Sequence, residues 1–213
     1  MECLLGLSNS VLLPSALFPP ISYFALILSE NKQGRTPIIE HNDFFVKQTI
    51  RNRYRIYTAQ GDHLLSVPLV SKSSKTLLKS IEINYEMPWQ KEHFRTLNAA
   101  YSSTPFYEHY IEALMPLFAT KFSSLLAMNT WAFEKVIELL DLSITVEYSD
   151  KYIESELEKD FRSTRNELFQ EFKASYYQLN FDQGLPFISN LSILDLLFNI
   201  GPESRIWLNK AAQ

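Results

Sequence analysis

Ser143-Ile144-Thr145-Val146-Glu147-Tyr148 alternates polar and apolar side chains, the period of a strand with one face buried. Its position is informative, because it follows a long helical stretch. Trp89–Tyr101, Pro105–Phe118 and Phe122–Leu140 carry apolar residues at i, i+3 and i+4, and Pro105 suits a helix start. Before these helices the pattern is β. Short apolar runs stand at Val11–Leu13, Thr36–Glu40 and Ile81–Ile83. Tyr54–Tyr57 and Leu64–Val67 flank Thr58–His63, a hairpin with a looser connection than a two-residue turn. A chain that returns to β after three helices predicts an α/β fold. We expect a single domain over 1–213, with a mixed central sheet of about six strands flanked by helices. Two further helices are expected. Ile21–Leu28 follows Pro19-Pro20, and Leu191–Ile200 is capped by Asn190 or Ser192 and stopped by Gly201-Pro202. Residues 149–171 read as a charged surface excursion within the domain.

Composition narrows the function. The 213 residues are 46% apolar and 14% aromatic, enough for a packed core. Gly6, Gly34, Gly61, Gly184 and Gly201 lie too far apart to build a G-x-G-x-x-G turn or a phosphate loop, so any bound anion must be held by side chains. Cys3 stands alone, which removes intrachain disulfides and thiolate metal sites and points to a reducing, cytoplasmic setting. No run of about 18 apolar residues exists to insert in a membrane. The net charge of −4 and pI of 5.6 argue against nucleic acid as a partner. Residues 1–100 nevertheless carry a net +3, leaving room for a local site for a small anion.

The densest polar stretch is Lys47-Gln48-Thr49-Ile50-Arg51-Asn52-Arg53-Tyr54-Arg55. On an extended backbone Arg51, Arg53 and Arg55 would point the same way. They would form a cationic rake for phosphate or carboxylate, with the Gln48 and Asn52 amides reading a neighbouring group; a charge-protected strand edge is the plainer alternative. Glu40, His41 and Asp43 end a predicted strand, where α/β proteins place ligands. They suit a general base with its orienter, or two ligands of a divalent metal, or a loop that merely turns the chain. Trp89, His93 and Tyr101 share a helix face, as a stacking platform with a proton donor or as core packing around a satisfied histidine. Asp195 is an acid in an apolar helix. It must face water or find a partner, for which an arginine of 51–55 is the natural candidate.

Three blocks stand out together: Leu17-Phe18-Pro19-Pro20-Ile21-Ser22-Tyr23-Phe24, then Glu40-His41-Asn42-Asp43-Phe44-Phe45-Val46-Lys47-Gln48-Thr49-Ile50-Arg51-Asn52-Arg53, then Tyr176-Tyr177-Gln178 with Pro186–Glu203. Their order and spacing resemble the WbqC-like protein family, in the forms found in Bacteroidetes polysaccharide loci. Asp160-Phe161-Arg162 resembles a short linking element. Pro14-Ser15-Ala16-Leu17 departs from the pattern near the opening. The resemblance implies a transferase that passes glycine or another amino acid to a nucleotide-activated amino sugar in O-antigen or capsule synthesis. It implies Lys47, Arg51 and Arg53 as the anion clamp, Glu40 or Asp43 as the base, and Tyr23, Gln48 and Asn52 orienting the sugar. With His41, His93, Asp160, Arg162, Tyr177, Gln178, Asn190 and Asp195, these complete the candidate set. A nucleotide-sugar or other small anionic metabolite is the implied ligand, and neither a cofactor nor a metal is assigned. Two alternatives stand beside it: a non-catalytic scaffold of a glycan-assembly complex, which predicts an exposed apolar patch, and a ligase that activates a carboxylate with ATP. Convergence of Glu40, Lys47, Arg51, Asn52, Arg53, Tyr177 and Asp195 on one concave site is what an enzyme would require.

Overall fold

The computed structural model describes residues 11–70, 76–154, 159–162, 177 and 186–212. Helices and strands are mixed, as expected, but the strands form two small sheets rather than one of about six strands. The first is parallel, ordered β1 (Leu12–Pro14), β2 (Ile38–Glu40), β5 (Glu147–Tyr148). Leu12 pairs with Ile38 and Ile39 with Tyr148. Asp160 adds a parallel bridge on the other side of β1, with Phe161 N–H donating to the Leu12 carbonyl at 2.9 Å. The second is the antiparallel hairpin of β3 (Arg53–Thr58) and β4 (Gly61–Ser66). Its connection is tighter than the sequence suggested. Thr58 pairs with Gly61 across the two residues Ala59 and Gln60, and Gly61 takes a φ of +93° that glycine tolerates.

Local competition for backbone groups explains the missing strands. Of the alternating stretch 143–148, only the last two residues join the sheet. Thr145 N–H instead donates to Asn31 Oδ1 at 2.7 Å, and Asn31 Nδ2 donates to the Thr145 carbonyl at 2.9 Å, so one side chain stands in for a strand. Ile81–Ile83 contributes a single bridge, Ile83 to Leu69, because the Ile81 carbonyl accepts from Leu125 N–H.

Among the described residues six α-helices surround these sheets: α1 (Ile21–Lys32), α2 (Trp89–Tyr101), α3 (Tyr107–Ala119), α4 (Leu125–Leu139), α5 (Ile193–Ile200) and α6 (Glu203–Ala211). α4 begins three residues later than its apolar pattern because Ser124 caps it, accepting from Ala127 N–H at 3.1 Å. α1 is buried on nearly every side, from Ile21 to Glu30, and packs on α6. The Glu30 carboxylate inside it is held by Arg35 and Lys159, which keep its pKa below the usual range. The buried apolar side chains form one cluster that reaches from β1 through α1, the hairpin and α2–α5.

Gly201 ends α5 at φ +51°, and a Cβ there would lie 2.5 Å from the Phe106 ring. Both backbone and space demand glycine. Gly201→Ala is expected to cost about 2–4 kcal/mol, from strain plus overpacking. Urea unfolding checks it, and a loss below about 0.5 kcal/mol would contradict it.

Candidate functional site

Three stretches distant in sequence meet around a cleft of about 530 Å³ lined by Phe18 and Pro20, by Gln48, Ile50, Arg53, Tyr54 and Arg55, and by Ser189, Asn190 and Ser192, with Asp62 and Leu64 from β4. Backbone bonds lock them together. Ser192 bridges Pro20 and donates its N–H to the Arg55 carbonyl at 2.8 Å, while its Oγ donates to the Phe18 carbonyl at 3.0 Å. The helix starts are interlaced. Ile21 N–H donates to the Leu191 carbonyl, Ile193 N–H to the Pro19 carbonyl, and Ser22 N–H to Asn190 Oδ1 at 2.9 Å. α1 has no side-chain cap of its own because its N-cap is Pro20, so Asn190 serves it from across the fold. Ser192 caps α5.

The same cleft collects backbone strain. Among the described residues, Phe18 (φ 43°), Gln48 (61°), Asp141 (49°) and Asn190 (63°) are the non-glycine residues at positive φ, and three of these four line it. Asparagine adopts this region readily; an aromatic does so at a cost of about 1–3 kcal/mol, and such strain gathers at functional sites.

The arginines do not form a rake. β3 begins only at Arg53, so the two-residue period does not extend back to Arg51, which lies inside the protein. Arg51 ion-pairs with Asp43 and donates to the Arg162 carbonyl at 3.1 Å and Thr49 Oγ1 at 3.3 Å. Arg55 stands at the cleft rim paired with Asp62, Nε to Oδ1 at 2.8 Å. Arg53 lies between them, half-buried in the cleft wall, with an Nε that is out of water and has no hydrogen-bond partner. Gln48 and Arg53 also border a recess of about 160 Å³, completed by Phe45, Lys47, Asn52 and Ser66.

Glu40, Asp43, Asp160 and Arg162 join Arg51 in a separate buried network at the carboxyl edge of the parallel sheet. Glu40 has no exposure. It accepts from Asn42 N–H at 2.8 Å, Ile153 N–H at 2.9 Å, Arg162 Nη1 at 3.3 Å and the Ser149 hydroxyl. Arg162 grips Asp160 and lies over the Tyr152 ring. His41, next in sequence to Glu40, points elsewhere: its ring stacks on Tyr148 at 4.3 Å, with Nε2 3.4 Å from Thr130 Oγ1. Burial lowers its pKa, against the pull of Glu40. Tyr23 shares that small apolar-walled space and donates to the Pro14 carbonyl at 2.9 Å. Among the described residues no group of three or more His, Cys, Asp or Glu is placed to hold a metal ion.

The remaining candidates belong to the core. His93 sits between Trp89 and Tyr54, with Nδ1 3.1 Å from Tyr54 Oη, and burial lowers its pKa to about 4. Asp195 is not partnered by an arginine. It accepts from Tyr101 Oη at 2.6 Å and Tyr177 Oη at 2.5 Å, and burial raises its pKa to about 6, against those two hydrogen bonds. Gln178 lies outside the described residues. The described candidates therefore divide: Gln48, Arg53 and Asn190 line the cleft, Lys47 and Asn52 the adjoining recess, Tyr23, Glu40, Asp43, Arg51, His93, Arg162, Tyr177 and Asp195 are buried, and His41 and Asp160 are partly buried. The sequence reasoning missed Phe18, whose positive φ leaves no mark in sequence, and Ser66 and Asp62 on the partner strand of the hairpin.

A family model described as the WbqC-like protein family matches residues 15–177, well over half the chain. It spans the first two blocks and Asp160-Phe161-Arg162, and ends at Tyr177, before Ser189–Ser192. The comparisons with curated proteins and with solved structures returned no match. Among the described residues no helix is long and apolar enough to cross a membrane.

Proposed function

The chain belongs to the WbqC-like protein family, and on that premise we propose that the cleft beside Arg53 binds a small anionic metabolite, a nucleotide-activated amino sugar, for aminoacyl transfer in surface polysaccharide synthesis. One observation carries the binding reading: the Arg53 side chain, half-buried in the wall of a 530 Å³ cleft, makes no ion pair and no side-chain hydrogen bond among the described residues. An uncompensated guanidinium in a cleft wall is a ready partner for an anion. Phe18, Ile50, Tyr54 and Leu64 give the ligand an apolar and aromatic bed, and Ser189, Asn190 and Gln48 supply polar contacts, the usual make-up of a small-molecule site. We read Glu40 and Asp43 as supports of the sheet edge, because Arg162, Arg51 and backbone N–H groups already occupy their oxygens.

Arg53→Ala tests the binding reading. A nucleoside-diphosphate sugar should raise the melting temperature of the wild type by several degrees and leave the variant unchanged, while the unliganded variant melts within about 2 °C of wild type. Equal stabilisation of both proteins would refute it. A non-catalytic scaffold is the alternative, favoured by one feature: an open groove of about 360 Å³ between α2 and α3, lined by Tyr85, Met87, Phe94, Met115 and Phe118, with Met87 half exposed.

A further inference from the structure

The hairpin brings two arginines to the cleft from one side. Across β3 and β4, Arg53 pairs with Ser66, Arg55 with Leu64 and Tyr57 with Asp62, so Arg53 and Arg55 leave the same face as Leu64 and Asp62, their Cα atoms about 6.6 Å apart along the strand. The two arginines are in different states. Arg53 has no ion pair, and because its Nε is out of water only its two Nη groups can meet a ligand; neither is bonded among the described residues. Arg55 is held at the rim by Asp62, through both Nε and Nη2. That hold is weak. The two side chains are 45% and 36% exposed, and an ion pair screened by water to this degree contributes little. These three residues are the charged ones in the lining of the cleft, which leaves a surplus of one positive charge there. A ligand with a single anionic group is matched by Arg53. A second anionic group beside the first has to draw Arg55 away from Asp62, whose carboxylate then returns to water at the rim.

We propose that the cleft selects ligands with two adjacent phosphoryl groups, Arg53 gripping one and Arg55 the other, and that Asp62 is the internal competitor that sets how readily Arg55 is released. A guanidinium fork matches the oxygens of one phosphoryl group, so two forks on neighbouring positions of one strand face match a diphosphate. This rests on the reading of Arg53 as the anion holder. It adds a ligand class and two specificity residues, Arg55 and Asp62, to that reading.

Titration calorimetry with inorganic pyrophosphate and inorganic phosphate at pH 8 tests it. The wild type should hold pyrophosphate at least about tenfold more tightly than phosphate, the scale of one added charge-assisted hydrogen bond. Net charge alone would also favour pyrophosphate, so the deciding variant leaves net charge unchanged: Arg55→Ala combined with Asp62→Asn removes one charge of each sign. This double variant should lose at least about tenfold in affinity for pyrophosphate and less than about threefold for phosphate. Asp62→Asn alone should bind pyrophosphate about two- to fivefold more tightly, because Arg55 is then free. Both positions are exposed, so the variants keep the fold. A double variant that holds pyrophosphate as the wild type does, an Asp62→Asn that gains nothing, or a wild type that holds the two anions equally overturns the proposal. If Arg53→Ala abolishes stabilisation by a nucleoside-diphosphate sugar while the double variant retains it, the role of Arg55 fails and the reading of Arg53 stands.

Discussion

Arg51→Ala should lower the unfolding free energy by about 3–5 kcal/mol, whereas Arg53→Ala, two residues on, should change it by less than about 1 kcal/mol. The sequence treats the two as equivalent members of one alternating series; their surroundings do not. Arg51 is 1% exposed, and its guanidinium joins Asp43, Thr49 and the carbonyl of Arg162. Its own carbonyl accepts from Asn129 Nδ2 at 2.8 Å. Truncation would strand the Asp43 carboxylate, which is itself largely buried, and remove a donor from the carbonyl of the residue that holds Glu40. Breaking one partner of a buried pair is the costly case, because an uncompensated charge stays behind. Arg53 makes no such pair, and its removal leaves a wider cleft open to water. Chemical denaturation of the two variants, with circular dichroism as the readout, separates them. Comparable losses would show that Arg53 is structural and remove the basis for the binding reading. A loss below 1 kcal/mol for Arg51→Ala would show that the Asp43 network supports nothing.

What could be read from the sequence followed from period and punctuation. The bounds of α2 coincide with its apolar pattern, and α5 ends at the glycine marked for it. The sheet was over-read because alternation reports which face is buried, whereas pairing depends on a free partner. At 143–146 that partner is the amide of Asn31, more than a hundred residues away in sequence. The arginine series failed for a related reason: a two-residue period holds only inside a strand, and β3 starts at Arg53. The cleft is legible in parts, since Gln48, Arg53 and Asn190 stand among the candidates read from sequence, while Phe18 does not. Their meeting depends on Ser192 bonding to Phe18 and Arg55 at once, a long-range fact with no local signature.

Asp195 should make stability fall as pH rises from about 4 to 6.5, by about 3 kcal/mol, and Asp195→Asn should remove that dependence. The carboxyl lies on an otherwise apolar helix with no exposure, and burial raises its pKa to about 6 in the native state, from 3.8 when exposed. Between these values the folded chain holds a proton that the unfolded chain has released. Raising the pH therefore favours unfolding: the stability is fully present below pH 3.8 and is lost as the pH passes through about 6. The two tyrosines limit the loss, since both hydroxyls donate to the carboxylate and favour its charged form. Tyr101 is in turn tied to the hairpin, its oxygen accepting from Tyr57 N–H at 3.0 Å. Tyr177→Phe should consequently raise the Asp195 pKa further, shifting the loss to higher pH and lowering stability at pH 7 by about 1–3 kcal/mol. Other carboxylates and histidines titrate in the same range, so the quantity to measure is the difference between each variant and wild type across pH 4–7. Parallel curves for wild type and Asp195→Asn would mean that Asp195 keeps an ordinary carboxylate pKa, and that its two tyrosine bonds fully offset its burial.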